Sequence, residues 1–281
     1  MMATFIIARL TLIEAVRRRI LLAAFVLGIA FLILYGIGFY AMLGEVTRAP
    51  SSPIMNLQRG GFFSFLAMAG LYAVNFLAIA LGALMSADTL AGEIGSGTIQ
   101  VLATKPVRRV EIVLGKWLGF AILLALYLLL MSGGVLAIAF ALGGHIVPNA
   151  VAGIALMYLT ALLMMTMTLA CSSALSTLAT GGVVFGLYGI AFIGGWVEQF
   201  GAFLQNQGEV NIGIISSLII PCEALWRRAS FEMMPAYAQT SFFISPFAST
   251  SVPSEMMIAY GVAYLAVALV FATRRFARRD L

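Results

Sequence analysis

Charged side chains are scarce in this sequence, and their scarcity excludes a water-soluble fold. Only 10% of the 281 residues are Asp, Glu, Lys or Arg, and 62% are hydrophobic, whereas an average soluble domain has roughly 25% charged residues. A bilayer supplies the apolar solvent that such a chain needs. Because backbone groups inside a bilayer must be satisfied within each segment, the long apolar runs predict an all-α, multi-pass membrane protein.

Cysteine and histidine are also rare, which excludes several kinds of site. The chain has two cysteines, Cys171 and Cys222, and one histidine, His145. Two cysteines are too few for a disulfide framework, and the topology below puts them on opposite membrane faces, so we expect no bridge between them. A lone histidine in a short outer turn makes neither a metal site nor a general base. We therefore predict no metal site and no catalytic residue.

A nucleotide-binding motif is missing as well. The phosphate-binding pattern G-x-x-x-x-G-K-[ST] does not occur, since the one Gly-Lys pair, Gly115-Lys116, is followed by Trp117. We expect a chain that is not an enzyme, has no cofactor of its own and cannot hydrolyse ATP alone. Any energy from ATP must then arrive mechanically, through a cytoplasmic surface that another protein can push.

Six apolar stretches are present, each with at least the roughly 18 residues needed to cross the hydrocarbon core. The predicted spans are 20–43, 60–87, 117–142, 150–171, 178–197 and 256–273. The rest of this single transmembrane domain, 1–281, comprises an N-terminal elbow (1–19), a cytoplasmic coupling loop (88–116) and an external connection (198–255). Within the external connection, the apolar piece Ile212–Ile220 is too short to cross, so we predict a re-entrant or interfacial helix ended by Pro221.

The lysines and arginines predict the orientation, because short basic loops stay in the cytoplasm. With both termini inside, twelve basic residues lie on the inner face and four on the outer face. The inner residues are Arg9, Arg17, Arg18, Arg19, Lys105, Arg108, Arg109, Lys116, Arg274, Arg275, Arg278 and Arg279, and the outer ones are Arg48, Arg59, Arg227 and Arg228.

Asp, Glu, Lys, Arg and His are absent from all six predicted spans. Ion-coupled carriers usually place such residues at mid-membrane to bind or relay the coupling ion, so proton coupling is disfavoured. Some carriers coordinate sodium with backbone and hydroxyl oxygens, so a secondary transporter or channel stays open as an alternative. An intramembrane enzyme is disfavoured further, because no carboxylate, histidine or cysteine constellation falls within the spans.

The loop between spans two and three is the most structured polar segment. Residues 98–104 can form a short helix with Ile99, Leu102 and Ala103 on one side, and Pro106 then suits the first turn of a second helix that leads into span three. A short helix with apolar side chains that face away from the membrane is suited to dock in a groove of a partner protein.

The residues of this loop resemble the signature of ABC-2 type transporter permeases. They are the strings 92–99 (GEIGSGTI), 102–109 (LATKPVRR) and 112–116 (IVLGK). In outline the resemblance covers nearly the whole chain, and only this loop is specific at residue level. It implies a coupling helix that sits in a cleft of an ATPase, and the residues implied in coupling are Glu93, Gly97, Thr98, Ile99, Leu102, Pro106, Arg109 and Lys116.

The same resemblance implies the setting of the protein. It predicts a permease subunit of an ATP-driven exporter in a bacterial or archaeal inner membrane, with two permease and two ATPase subunits per transporter. ATP and Mg would bind the ATPases, the two permeases could be identical or different, and we expect no nucleic-acid partner.

Three further groups of residues have two interpretations each. Arg17, Arg18 and Arg19 form either an elbow that touches the ATPase or a plain positive-inside anchor. Polar residues inside the spans line either a substrate path or the contacts between helices. Met164 and its neighbours Met165, Met167 and Cys171 suit a copper(I) path but are better explained as packing. The candidate path residues are Tyr72, Asn75, Thr160, Met164 and Thr168.

Overall fold

The computed structural model of the chain describes residues 2–17, 19–48, 53–95, 108–235 and 251–278, and this part is helical with no strand. Its helices are α1 (Met2–Arg17), α2 (Arg19–Arg48), α3 (Pro53–Gly95), α4 (Arg109–Gly143), α5 (Ala150–Ser172), α6 (Thr177–Phe203), α7 (Gln207–Ile219), α8 (Cys222–Met233) and α9 (Met256–Ala277).

Six of these helices, α2 to α6 and α9, are long and apolar enough to cross a membrane. The predicted all-helical fold with six membrane-crossing helices is therefore confirmed. The elbow role of α1 stays a prediction, and the predicted coupling helix lies outside the described residues.

Several helices run beyond the apolar stretches that predicted them. Span five was expected to end at Val197, but α6 continues to Phe203 and so includes Glu198. Similarly, α4 begins at Arg109, two turns before the predicted start of span three at Trp117. Hydropathy locates the apolar centre of a helix, whereas its ends depend on polar contacts that only the folded chain provides.

The centre of the bundle is formed by α3, α4 and α5. Gly82 of α3 lies where the three helices meet, and a Cβ atom there would be 3.2 Å from Leu124 of α4 and 3.3 Å from the carbonyl oxygen of Ala161 of α5. At the periphery, α2 is largely uncovered. Of its 18 most apolar consecutive residues only 11% are buried, whereas the corresponding share for α3 is 56%. Hence α2 presents apolar side chains such as Leu34 to its surroundings.

The first helix packs across the beginning of α4. Two glycines of α4 permit the approach, since a Cβ atom at Gly115 would be 2.7 Å from Ile7 and one at Gly119 would be 2.9 Å from the carbonyl oxygen of Ala8. Lys116 lies between these glycines and is buried.

The external connection contains two helices, α7 and α8, that meet at an angle of 106°. Pro221 separates them and is the N-cap of α8, while α7 runs from Gln207 to Ile219. A small-residue face of α7 packs on α6, with Gly213 beside Glu198, whereas Ile212 and Ile215 on α7 are exposed. An outward apolar face is what a re-entrant or interfacial helix requires.

Candidate functional site

The predicted coupling residues divide into those inside and those outside the described part of the chain. Gly97, Thr98, Ile99, Leu102 and Pro106 lie outside it. Of the others, Glu93 belongs to the last turn of α3, Arg109 begins α4, and Lys116 is buried near the α1 contact. The segment 96–107 therefore connects α3 to α4.

Hydrogen bonds join the C-terminal end of α3 to the turn between α5 and α6. The Ser172 hydroxyl donates to the carbonyl oxygen of Ala87 at 2.9 Å and accepts from the backbone N–H of Ala91 at 3.1 Å. The Thr177 hydroxyl donates to the Asp88 carboxylate at 3.0 Å. All three bonds lie within about two turns of the end of α3, so this end is tied to the end of α5 and to the start of α6.

Gly92 keeps space for the Asp88 carboxylate. A Cβ atom at Gly92 would contact Asp88 Oδ1 closer than van der Waals distance, because the two residues are one helical turn apart on the same face. Gly92 is also the first residue of the string that resembles the permease signature.

On the other side of segment 96–107, the beginning of α4 is tied to the end of α9. Arg109 donates from Nη1 to the carbonyl oxygen of Ala277 at 3.3 Å. Below this contact lies a buried apolar cluster to which α4, α5 and α9 all contribute: Val113, Leu169, Ala170, Ala272 and Phe276. The ends of α3, α4, α5, α6 and α9 beside segment 96–107 thus form one connected platform.

The predicted elbow arginines are only partly described. Arg19 begins α2 and is exposed, whereas the side chains of Arg17 and Arg18 lie outside the described atoms. Their contact with an ATPase stays a prediction.

The predicted path residues lie mostly inside the bundle. The hydroxyls of Thr160 and Thr168 donate to carbonyl oxygens one turn back in α5, at 2.9 and 2.7 Å, and Met164 is fully buried. Asn75 of α3 is also buried, and the described residues offer its Oδ1 atom no hydrogen-bond partner. These contacts suit helix packing, and a substrate path along them stays a prediction.

Metal binding through the methionines also stays untested. Met165 packs with Met164 in the buried core, and Cys171 is a free thiol. Among the described residues no group of three His, Cys, Asp or Glu side chains could hold a metal ion.

A buried charge cluster that the sequence reasoning missed lies at the opposite end of the bundle. Arg227 of α8 binds Glu198 of α6 through two contacts, Nη2 to Oε2 at 2.7 Å and Nη1 to Oε1 at 2.6 Å. The Ser251 hydroxyl donates to Glu198 Oε1 at 2.8 Å, and Ser217 accepts from Arg227 at 3.3 Å. Both charged side chains are buried, with exposures of 1% for Arg227 and 5% for Glu198.

A second carboxyl, Glu223, belongs to the same cluster. It is one helical turn before Arg227 on α8, is 4% exposed, and is hydrogen-bonded to the Tyr72 hydroxyl of α3. Tyr72, predicted as a path residue, also packs against Trp226 with ring centroids 5.1 Å apart. The available sequence signal was the Glu223–Arg227 spacing, which puts opposite charges on one helix face.

These features define a class of protein: a polytopic α-helical membrane protein with a connected platform at one end of the bundle and a buried charge cluster at the other. The chain belongs to the ABC-2 family, because the family model described as ABC-2 family transporter protein matches residues 5–281. The predicted resemblance is thereby confirmed, and membership implies an ABC permease. No curated protein matches the sequence significantly.

Proposed function

We propose that this chain is the permease subunit of an ATP-driven exporter and that separate ATPase subunits drive it through segment 96–107. The observation that carries the proposal is the family membership of nearly the whole chain. The connected platform supports it, because the helices on both sides of this segment are bonded to α5, α6 and α9. A push on the segment would therefore move most of the bundle.

In this proposal ATP and Mg bind the ATPase partners. The permease pairs with a second, identical or different, permease subunit in the lipid bilayer. Both termini face the cytoplasm of a bacterial or archaeal cell, and the apolar faces of α2 and α9 are available to lipid or to the second subunit.

The test is the ATPase activity of the partner in the presence of permease variants. Ile99→Asp places a charge on the apolar side of the predicted coupling helix, and Glu93→Ala removes the carboxylate before it. Both variants should lower the stimulated ATPase rate severalfold while the permease still purifies as a folded protein.

The matched control is Ile146→Asp, the same change at an exposed residue of the turn between α4 and α5. It should leave ATPase stimulation unchanged. Equal loss in Ile146→Asp and Ile99→Asp, or no loss in either, would contradict the proposed coupling.

A secondary transporter or channel is the second candidate, and one observation favours it. The buried carboxyls of Glu198 and Glu223 are ionisable groups of the kind that ion-coupled carriers use. Substrate transport into proteoliposomes that contain the permease but no ATPase would favour this alternative over an ATP-driven exporter.

A further inference from the structure

The outer charge cluster contains more acid than base among the described residues. Both terminal nitrogens of Arg227 contact Glu198, so this cation is already matched by one carboxylate. Glu223 lies beside them with the Tyr72 hydroxyl as its hydrogen-bond partner. If Glu223 is ionised, the described residues of the cluster carry one net negative charge, at a site where burial makes such a charge costly.

The groups that face Glu223 from the surrounding helices do not change this balance. On α5, which packs against α8, there is no Asp, Glu, Lys, Arg or His. The titratable or charged groups around Glu223 are Tyr72 from α3, Tyr188 and Glu198 from α6, Cys222 and Arg227 from α8, and Tyr264 from α9, next to Cys222. Burial raises the pKa of Glu223 to about 7, although Arg227 and Tyr72 act in the opposite direction.

The bend between α7 and α8 contacts α6 mainly through small residues. Gly194 lies against Ser216 and Gly195 against Glu223, both so close that a Cβ atom would not fit. The large side chains of α7, such as Ile212 and Ile215, point outward instead. Against α6 the bend is therefore held by close small-residue contacts and by the polar cluster, while apolar side chains of α8 such as Leu225 and Trp226 are buried in the core.

From this geometry we propose that Glu223 is a proton-binding site that controls the α7–α8 bend. The protonated acid keeps the bend closed on α3 and α6, and loss of the proton lets water reach it. The inference goes beyond the proposed function and needs no ATPase, so it can fail or succeed independently of the coupling experiment.

The direction of the pH effect follows from linkage. An open, hydrated Glu223 has its ordinary pKa of 4.5, and the closed bend raises that pKa to about 7. The closed bend therefore binds the proton more tightly, and acid favours it. The free-energy advantage that the proton gives the closed bend is complete below about pH 4.5. It falls as the pH rises to about 7 and is then lost, and over this window the open-to-closed ratio changes by on the order of a hundredfold.

Cys222 is a native reporter of this opening, because it adjoins Glu223 at the bend and is 1% exposed. In a Cys171→Ala background it is the one remaining cysteine of the chain. The experiment measures the rate at which a maleimide modifies Cys222 in the full-length purified protein from about pH 5 to about pH 8. Thiol reactivity itself rises with pH, so each rate is divided by that of Glu223→Gln, which stays neutral.

The expected ratio is lowest at about pH 5 and is roughly tenfold or more higher at about pH 8. A ratio that stays constant over this range would overturn the proposal. Glu209→Gln on α7 is the matched control, since Glu209 bonds Asn206 in an exposed turn, and it should behave as the unchanged protein does.

Tyr72→Phe tests the same site if Glu223→Gln does not fold. This variant loses the hydroxyl that favours the ionised form of Glu223, so the rise in the labelling rate should move to higher pH. An unshifted rise in a folded Tyr72→Phe protein would contradict the assignment of Glu223.

Discussion

At the scale of single residues, the Glu198–Arg227 pair is the part of the structure most sensitive to substitution. Arg227→Leu would leave the Glu198 carboxylate buried without its cation, and we expect the free energy of unfolding to fall by about 3–5 kcal/mol. Chemical unfolding of the purified protein in detergent, followed by tryptophan fluorescence, measures this loss.

The neighbouring arginine supplies the control for this prediction. Arg228 pairs with Glu232 and Glu255, and Glu255 is largely exposed, so Arg228→Leu should cost only about 1 kcal/mol. Adding Glu198→Gln to Arg227→Leu should restore part of the lost stability, because the uncompensated charge is then gone. Equal losses for Arg227→Leu and Arg228→Leu would contradict the importance of the buried pair.

The sequence alone predicted few of these residue-scale contacts. Arg227 was counted with the outer basic residues, and Glu198 was placed just outside span five, because hydropathy treats each charge as solvated. The two charges are separated by a helix end and a bent pair of helices, so only the folded chain brings them together. By contrast, Gly92 and Glu93 were identified from their motif, although the motif did not reveal that Gly92 leaves space for Asp88.

At the scale of secondary-structure elements, α3 connects the membrane bundle to the predicted coupling segment. Replacement of a helical glycine by alanine usually stabilises a helix by about 1 kcal/mol. At Gly92, however, the new Cβ atom would displace the Asp88 carboxylate from Thr177. We expect Gly92→Ala to keep the fold but lower the stimulated activity of the ATPase partner.

The same contact can be removed from the other helix. Thr177→Val deletes the hydroxyl that bonds Asp88. The losses of ATPase stimulation caused by Thr177→Val and by Gly92→Ala should therefore not add in the double variant. Gly181→Ala, one turn further along α6, is the control, because a Cβ atom there meets no atom within 4 Å. Additive effects of the two variants, or full stimulation in both, would exclude this contact from coupling.

The helices themselves could largely be predicted from the sequence, since a run of about 20 apolar residues has few alternatives in a membrane. The helix end before Pro221 was predicted from the proline itself, whereas the ends of the long helices depended on tertiary contacts. The helix α6 continues past Val197 because Arg227 neutralises Glu198, and it ends near Gln205, whose backbone has a φ of 55°. Neither the continuation of α6 past Val197 nor its end near Gln205 has a signal in the local hydropathy.

At the scale of the whole molecule, the distribution of apolar surface matches a protein surrounded by lipid or by a second subunit. The outermost helices, α2 and α9, expose large aliphatic side chains such as Leu34 and Val267, while the polar contacts gather at the two ends of the bundle. Thr177 in the platform and Glu198 in the charge cluster lie at the two ends of α6, roughly 30 Å apart at the rise of an α-helix. Both α3 and α6 contribute residues to the platform and to the charge cluster, so they connect the two directly.

The orientation of this bundle can be tested at the two ends of α6. Leu175 precedes α6 and Gln205 follows it, both exposed, so single cysteines at these positions in a chain with Cys171 and Cys222 replaced by Ala should label differently. The basic residues predict Leu175 inside, because short basic loops stay in the cytoplasm. In intact cells a membrane-impermeant maleimide should modify Gln205→Cys and spare Leu175→Cys, and permeabilised cells should show labelling of both. The reverse pattern would place segment 96–107 outside the cell, where no cytoplasmic ATPase could reach it, and would end the case for an ATP-driven permease.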